Sequence, residues 1–223
     1  MQAQGHSLKG IRLDSGDLAY LTKKSRKMLD DANLNDVKIA VSNQLDEYVI
    51  KSLLEQQAPI DVFGVGTNLV TGSPDAALDG VYKLAYTNGK PRIKLSENID
   101  KTTLPHRKQV YRILATDGHW IGADAITLRE ENEVKNIHHP FDPHKSTCIE
   151  TCEKEPLLEK VMEGGKRVGP QRSLNDIATY SQERLAMLQE EYKRFENPHI
   201  YKVGISDKLM KQRNDLIVAH KKQ

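Results

Sequence analysis

The chain has 223 residues, 38% hydrophobic and 29% charged, and its 33 basic and 31 acidic side chains leave a net charge of +2. That content supports one large domain or two small ones, and the interspersed charges exclude the basic stripe that nucleic-acid binding needs. No run approaches the ~18 apolar residues of a membrane span and the start, Met1 to His6, lacks the apolar centre of a secretory signal; with two cysteines, Cys148 and Cys152, too few for a disulfide framework, the expected compartment is the cytoplasm.

From about residue 10 to residue 80 short apolar runs alternate with stretches of helical period, which predicts parallel α/β structure. Gly10 to Asp14 reads as a strand, followed by a helix capped by Ser15 or Asp17 with Leu18, Leu21, Met28 and Leu29 on its apolar face. Val37 to Val41 is the second strand, Ser42 to Glu47 a turn with capping chemistry, and Leu45, Tyr48, Val49 and Leu53 the buried face of the next helix. A third strand, Ile60 to Phe63, runs into Gly64-Val-Gly-Thr67. Residues 81–135 change texture. Val81 to Tyr86 and Pro91 to Leu95 flank Asn88-Gly89, a strong hairpin turn, and Gln109 to Leu114 and Trp120 to Ile126 form a second hairpin turning at Thr116-Asp-Gly118. Residues 136–172, rich in proline and carrying Gly164-Gly165, read as an irregular connector. Residues 173–223 read as two helices, about 174–195 and, capped at Ser206 or Asp207, about 208–220.

Active sites of parallel α/β folds lie at the C-terminal strand ends, and three chemistry-bearing clusters fall there: Arg12 to Asp17, Ser42-Asn43 and Gly64 to Thr67. Glycines after a strand let the backbone approach a ligand closely, and free amides with the Thr67 hydroxyl can donate to phosphate oxygens; the plain alternative is a glycine turn leaving a strand. Asp14 and Asp17 flank Ser15-Gly16, where a carboxylate can accept ribose hydroxyls or hold a magnesium-bound water. Arg12, two residues before Asp14, shares its strand face and can meet an anionic group; the competing reading is an Arg–Asp pair with Asp17 as helix cap. His138, His139 and His144 precede Cys148 and Cys152, but without paired knuckle spacing a solvated loop is the better reading than zinc.

Gly10-Ile-Arg-Leu-Asp-Ser-Gly-Asp17, Ser42-Asn43-x-Leu45-Asp46-Glu47 and Phe63-Gly-Val-Gly-Thr67, in that order, resemble nicotinate phosphoribosyltransferase. The stretches Val81 to Leu84, Gly89 to Ser96 and Leu104-Pro-x-Arg-Lys-Gln-Val-Tyr-Arg112 are similar to the segment that follows the barrel in bacterial members. The resemblance implies an irregular α/β barrel, here partial with three strand–helix units, then a β-hairpin region and C-terminal helices. It implies formation of nicotinate mononucleotide from nicotinate and phosphoribosyl pyrophosphate with ATP hydrolysis and Mg2+, in NAD salvage, by a family that tends to homo-oligomerise. Carried onto matching positions, it puts Arg12 near the nicotinate ring, Asp14 at the ribose with Ser15 and Asp17 among the substrate-binding residues, Ser42 and Asn43 beside the sugar, and Gly64, Gly66 and Thr67 around the 5′-phosphate.

Residues 1–9 read as a tail unlike the family, and three units do not close an eight-stranded barrel of about 250 residues. None of the eight histidines, His6 in the tail included, stands in the context of the histidine phosphorylated during ATP coupling, which is expected upstream. The expectation is therefore little or no activity from this polypeptide alone. The alternatives are another pyridine phosphoribosyltransferase, for nicotinamide or quinolinate, and a non-catalytic remnant that docks on a partner.

Overall fold

The computed structural model describes residues 5–77, 80–98 and 101–221, and the chain divides into two compact units, residues 1–81 and 82–223. Residues 1–4 of the expected tail lie outside the described residues.

The first unit runs β1 (Gly10–Leu13), α1 (Leu18–Asp31), β2 (Lys38–Ser42), α2 (Glu47–Glu55), β3 (Val62–Gly64) and α3 (Thr67–Thr71). The strands form a parallel sheet in the order β1-β2-β3, as the alternation predicts. Ile11 pairs with Ile39, Leu13 with Val41 and Val41 with Phe63, so these five side chains share one face. That face packs against the helices: Ile39 and Val41 are 0% and 1% exposed, and Leu13, Val41 and Phe63 cluster with Ala19, Leu45 and Leu53. Each such fully buried aliphatic side chain contributes ~1.5–3 kcal/mol. The opposite face carries Gly10, Arg12, Lys38, Ala40, Ser42, Val62 and Gly64 and stays open, with Val62 half exposed.

The helix faces differ in part from those expected. α1 buries Ala19, Thr22 and Leu29 and leaves Met28 exposed, because Met28 sits about 100° around the helix from Leu29. Thr22 is tolerated inside because its hydroxyl donates to the Leu18 carbonyl at 2.7 Å. α2 buries Leu53 alone and leaves Tyr48 and Val49 largely exposed; nine residues present too few turns to bury a wide stripe. Arg26 ties off the α1–β2 loop by donating to the carbonyls of Leu34 and Val37.

The second unit opens with the smallest of hairpins, β4 (Tyr86–Thr87) and β5 (Lys90–Pro91). The turn at Asn88-Gly89 forms as expected, both residues having positive φ. The long flanking strands do not, although the Arg92 amide still donates to the Ala85 carbonyl at 2.8 Å: Val81, Tyr82 and Leu84 are 73%, 94% and 57% exposed and have no core to pack on. β6 (Lys108–Leu114) and β7 (Trp120–Leu128) form the second hairpin. Residues 136–172, expected to be irregular, contain β8 (Asn136–His138), β9 (Ser146–Cys148) and β10 (Glu153–Pro156) and a separate hairpin of β11 (Met162–Glu163) and β12 (Lys166–Arg167). The expected helix 174–195 breaks into α4 (Leu174–Ala186) and α5 (Glu190–Lys193), and an unexpected strand, β13 (Lys202–Ser206), precedes α6 (Asp207–Lys221). Ser206 caps α6 by accepting the Leu209 amide at 3.3 Å.

The main sheet has the order β10-β6-β7-β13-β8-β9, with β13 parallel to β7 and antiparallel to β8. Its core joins Ile113, Ala125, Ile137 and Ile149. Ile205 and Leu209 pack with Leu128 in a second cluster. A polar stack braces one side: the Arg112 guanidinium lies 4.0 Å from the Trp120 ring and pairs with Asp124 through two hydrogen bonds of 3.1 and 3.2 Å. Arg184 covers the same indole at 4.9 Å and pairs with Glu155 of β10. The Tyr201 hydroxyl donates to Asp124 at 2.8 Å, and burial raises its pKa above that of a free phenol.

Two predictions follow from this packing. Asp61 is held below the usual carboxylate range by the Lys38 ammonium and the Ile39 amide that donate to it, so its contribution is present above the unfolded-state pKa and lost as pH falls through the lower folded one. Chemical denaturation between about pH 5 and pH 2 should show a shallower loss of stability for Asp61→Asn than for the parent. Gly122 has φ +67° and a Cβ built on it would lie 2.0 Å from the Tyr192 ring. Gly122→Ala should destabilise by ~2–4 kcal/mol in urea denaturation, and by less in a Tyr192→Ala background, where only the backbone strain remains.

Candidate functional site

The parallel register levels the ends of β1, β2 and β3, and three loops leave from that edge. Arg12 and Asp14 sit at 3.3 Å, and Ser42, from the neighbouring strand, bridges them: its hydroxyl accepts from Arg12 Nη1 at 3.0 Å and donates to Asp14 Oδ1 at 2.6 Å. The Arg12 and Asp14 side chains are 64% and 55% exposed. An ion pair that open contributes about 1 kcal/mol or less, so stability does not account for the cluster. It presents one cation, one anion and one hydroxyl on the open face of the sheet.

The remaining candidates occupy the same edge. Ser15 is exposed in the loop after Asp14. Asp17 is the α1 N-cap, accepting the Tyr20 amide at 3.0 Å, which is the cap role weighed for it. Asn43 has φ +83° and Gln44 φ +43°, two consecutive left-handed residues after β2. Gly64 pairs with Ser42, and a Cβ there would meet the Ser42 Cβ and the Val41 carbonyl at 3.4 Å, an ordinary contact distance. Gly66 is the N-cap of α3 and no side chain caps its first turn; a Cβ at Gly66 would meet nothing within 4 Å, so that turn is approachable. Thr67 opens α3, and its carbonyl accepts the Thr71 hydroxyl at 2.7 Å.

One contributor escapes a reading of motifs. Asn68, the second residue of α3, donates from Nδ2 to the Leu45 carbonyl at 3.0 Å, tying the loop after β2 to the loop after β3. Its only sequence signal is an amide side chain directly after Gly64-Val-Gly-Thr67. In the second unit His138 pairs with Asp207 at 2.6 Å and His139 accepts the amides of Phe141 and Asp142. Among the described residues no three His, Cys, Asp or Glu side chains group so as to hold a metal ion, and no helix is long and apolar enough to cross a membrane.

A parallel α/β unit with a charged and hydroxylated cluster at its C-terminal strand edge, beside a glycine-flanked turn, has its polar residues where α/β folds place their ligand sites. Residues 107–213 match the family described as the nicotinate phosphoribosyltransferase C-terminal domain. The chain is 43% identical over 206 residues to the nicotinate phosphoribosyltransferase of Bacillus subtilis, covering 89% of this chain and 42% of that protein. It is 33% identical over 223 residues to the human protein of that name, covering 95% and 41%. The crystal structure of human nicotinic acid phosphoribosyltransferase superposes with a TM-score of 0.74 at 29% identity, over 96% of this chain and 41% of that one. A nicotinate-nucleotide pyrophosphorylase from Pyrococcus furiosus superposes at 0.53 with 25% identity, over 80% and 40%. Residues 107–213 are thus similar to the C-terminal domain of nicotinate phosphoribosyltransferases, and the chain spans about two fifths of the length of the proteins of that name that it matches.

If the strand-end cluster is functional rather than structural, removing it leaves the fold intact. Ser42→Ala and Asp14→Asn should each change the unfolding free energy by less than about 1 kcal/mol, measured by urea denaturation; a loss of several kcal/mol would mark the cluster as a structural brace.

Proposed function

We propose that this chain supplies the ribose- and phosphate-binding part of a nicotinate phosphoribosyltransferase site. That site forms nicotinate mononucleotide from nicotinate and phosphoribosyl pyrophosphate, with ATP hydrolysis, in NAD salvage. The observation that carries the reading is the Arg12–Ser42–Asp14 constellation at the level ends of two parallel strands, next to the approachable turn of Gly64, Gly66 and Thr67. Kinship to proteins named for this reaction, each of which the chain spans by 42% or less of its length, supports it.

The chemistry divides among these residues by charge. Arg12 faces the negatively charged pyridine substrate, and Asp14, already paired on Oδ1, accepts ribose hydroxyls. Ser15 and Asp17 border that contact. Ser42 and Asn43 flank the sugar, and the amides and hydroxyl around Gly64, Gly66 and Thr67 receive the 5′-phosphate. Phosphoribosyl transfer separates an anionic pyrophosphate from a sugar that gains positive character, so holding the reactants in line and matching this charge supply most of the rate. Mg2+ would enter with the substrate rather than be held by this chain, because Asp14 is shared with Arg12 and magnesium keeps its waters and binds chiefly through substrate phosphates. When bound with the substrate, Mg2+ would neutralise the charge of the departing pyrophosphate. By the same reading the complete enzyme works in the cytoplasm as a homo-oligomer.

Calorimetric titration of the chain with nicotinate mononucleotide, and separately with phosphoribosyl pyrophosphate plus magnesium, tests this. The expected outcome is saturable binding that Asp14→Ala and Thr67→Ala each weaken at least about tenfold, one to two hydrogen bonds to a charged group. Nicotinamide mononucleotide should bind more weakly, and of the free pyridines nicotinate should bind more tightly than nicotinamide or quinolinate; a preference for either of those would move the reading to another pyridine phosphoribosyltransferase. Affinity unchanged by both variants would refute it.

A further inference from the structure

The loop after β2 holds an energetic oddity. Asn43 and Gln44 both adopt the left-handed conformation, which costs an L-residue with a side chain free energy unless its surroundings over-determine it. No glycine relieves the pair. On one side Ser42 is fixed by its pairing with Gly64 and by its bonds to Arg12 and Asp14. On the other, Leu45 is 1% exposed in the core and Asp46 caps α2 by accepting the Val49 amide at 2.8 Å. The Leu45 carbonyl, at the point where the strained pair ends, accepts the side-chain amide of Asn68. Asn68 is half-buried, so this bond is shielded from competing water on one side.

We infer that Asn68 is a positioning residue: its hydrogen bond to the Leu45 carbonyl holds Asn43 and Gln44 left-handed and thereby displays Asn43 at the ligand edge of the sheet. The inference rests on the phosphoribosyl-binding reading for what Asn43 meets, but not for how the loop is held. It gives the loop after β3 two tasks, since the residue that anchors its neighbour directly follows the phosphate-facing Gly64 to Thr67. It also accounts for an exposed asparagine kept in a conformation that costs free energy, because Asn tolerates the left-handed region better than most residues while retaining a hydrogen-bonding side chain.

The test combines nuclear magnetic resonance with binding. A residue of positive φ brings its own amide and α protons close and gives a strong intraresidue cross-relaxation signal. The parent chain should show that signal at Asn43 and Gln44, and Asn68→Ala should weaken or lose it there while the rest of the spectrum is kept. Affinity for nicotinate mononucleotide should fall about tenfold, as for one lost hydrogen bond. Adding Gln44→Gly, which adopts the left-handed region without a Cβ penalty, should restore most of that affinity, which a general loss of packing at position 68 would not allow. Unchanged signals in Asn68→Ala overturn the inference whether or not the chain binds ligand. Signals lost with affinity unchanged overturn the link to Asn43. Signals lost in a chain whose parent binds no nicotinate mononucleotide refute the phosphoribosyl reading and leave the anchoring by Asn68 standing.

Discussion

The pairing of β2 with both of its neighbours in parallel register is the constraint from which the rest of the first unit follows. Leu13 opposite Val41 and Val41 opposite Phe63 place an unbroken apolar layer under the helices, and the period of two sends Arg12, Ser42 and Gly64 to the other face. A slip of β2 by one residue would bury Lys38 and Ser42 and expose Ile39 and Val41. The cluster at the strand ends is thus specified by the same pairing that builds the core, and the polar residues reach the open face without any dedicated support from the loops.

In the second unit the equivalent anchor is aromatic and electrostatic. Trp120 carries two guanidiniums over its ring, and each is neutralised by a carboxylate on a different strand, Asp124 on β7 and Glu155 on β10. Cation–π contact of this kind strengthens when water is excluded. Here the indole is 7% exposed, and the stack adds side-chain contacts from β10 and α4 to a backbone bond from the Trp120 amide to the Met187 carbonyl at the end of α4.

Much of the first unit is legible in the amino-acid order because its signals are local. Alternation marks β1 and β2, Asp17 and Asp46 sit where helix caps belong, and glycines follow β3. The three clusters fall together at one edge because parallel strands allow nothing else. The second unit is harder for physical reasons. Pro140 and Pro143 lie between β8 and β9, and Pro156 ends β10 at the sheet margin, where a missing amide costs little; read locally, each signals a loop. β13 is five residues long between helices, and its Val203-Gly-Ile205 core becomes a strand through neighbours distant in sequence. Asn68 was invisible for a similar reason: its partner is a carbonyl 23 residues away, and backbone acceptors leave no mark in a sequence.

The placement of β13 has a consequence for the order in which the sheet is assembled. The strand of this sheet that comes latest in the sequence lies in the middle, between β7 and β8, so the pieces β10-β6-β7 and β8-β9 share no hydrogen-bonded ladder until it arrives. A ribosome that has released everything up to α4 has still produced two separate fragments of sheet with unpaired inner edges. The sheet becomes continuous only when β13 joins β7 to β8, with α6 directly after it in the chain, which makes this strand the keystone of the unit, and pairing between segments distant in sequence is slow to form.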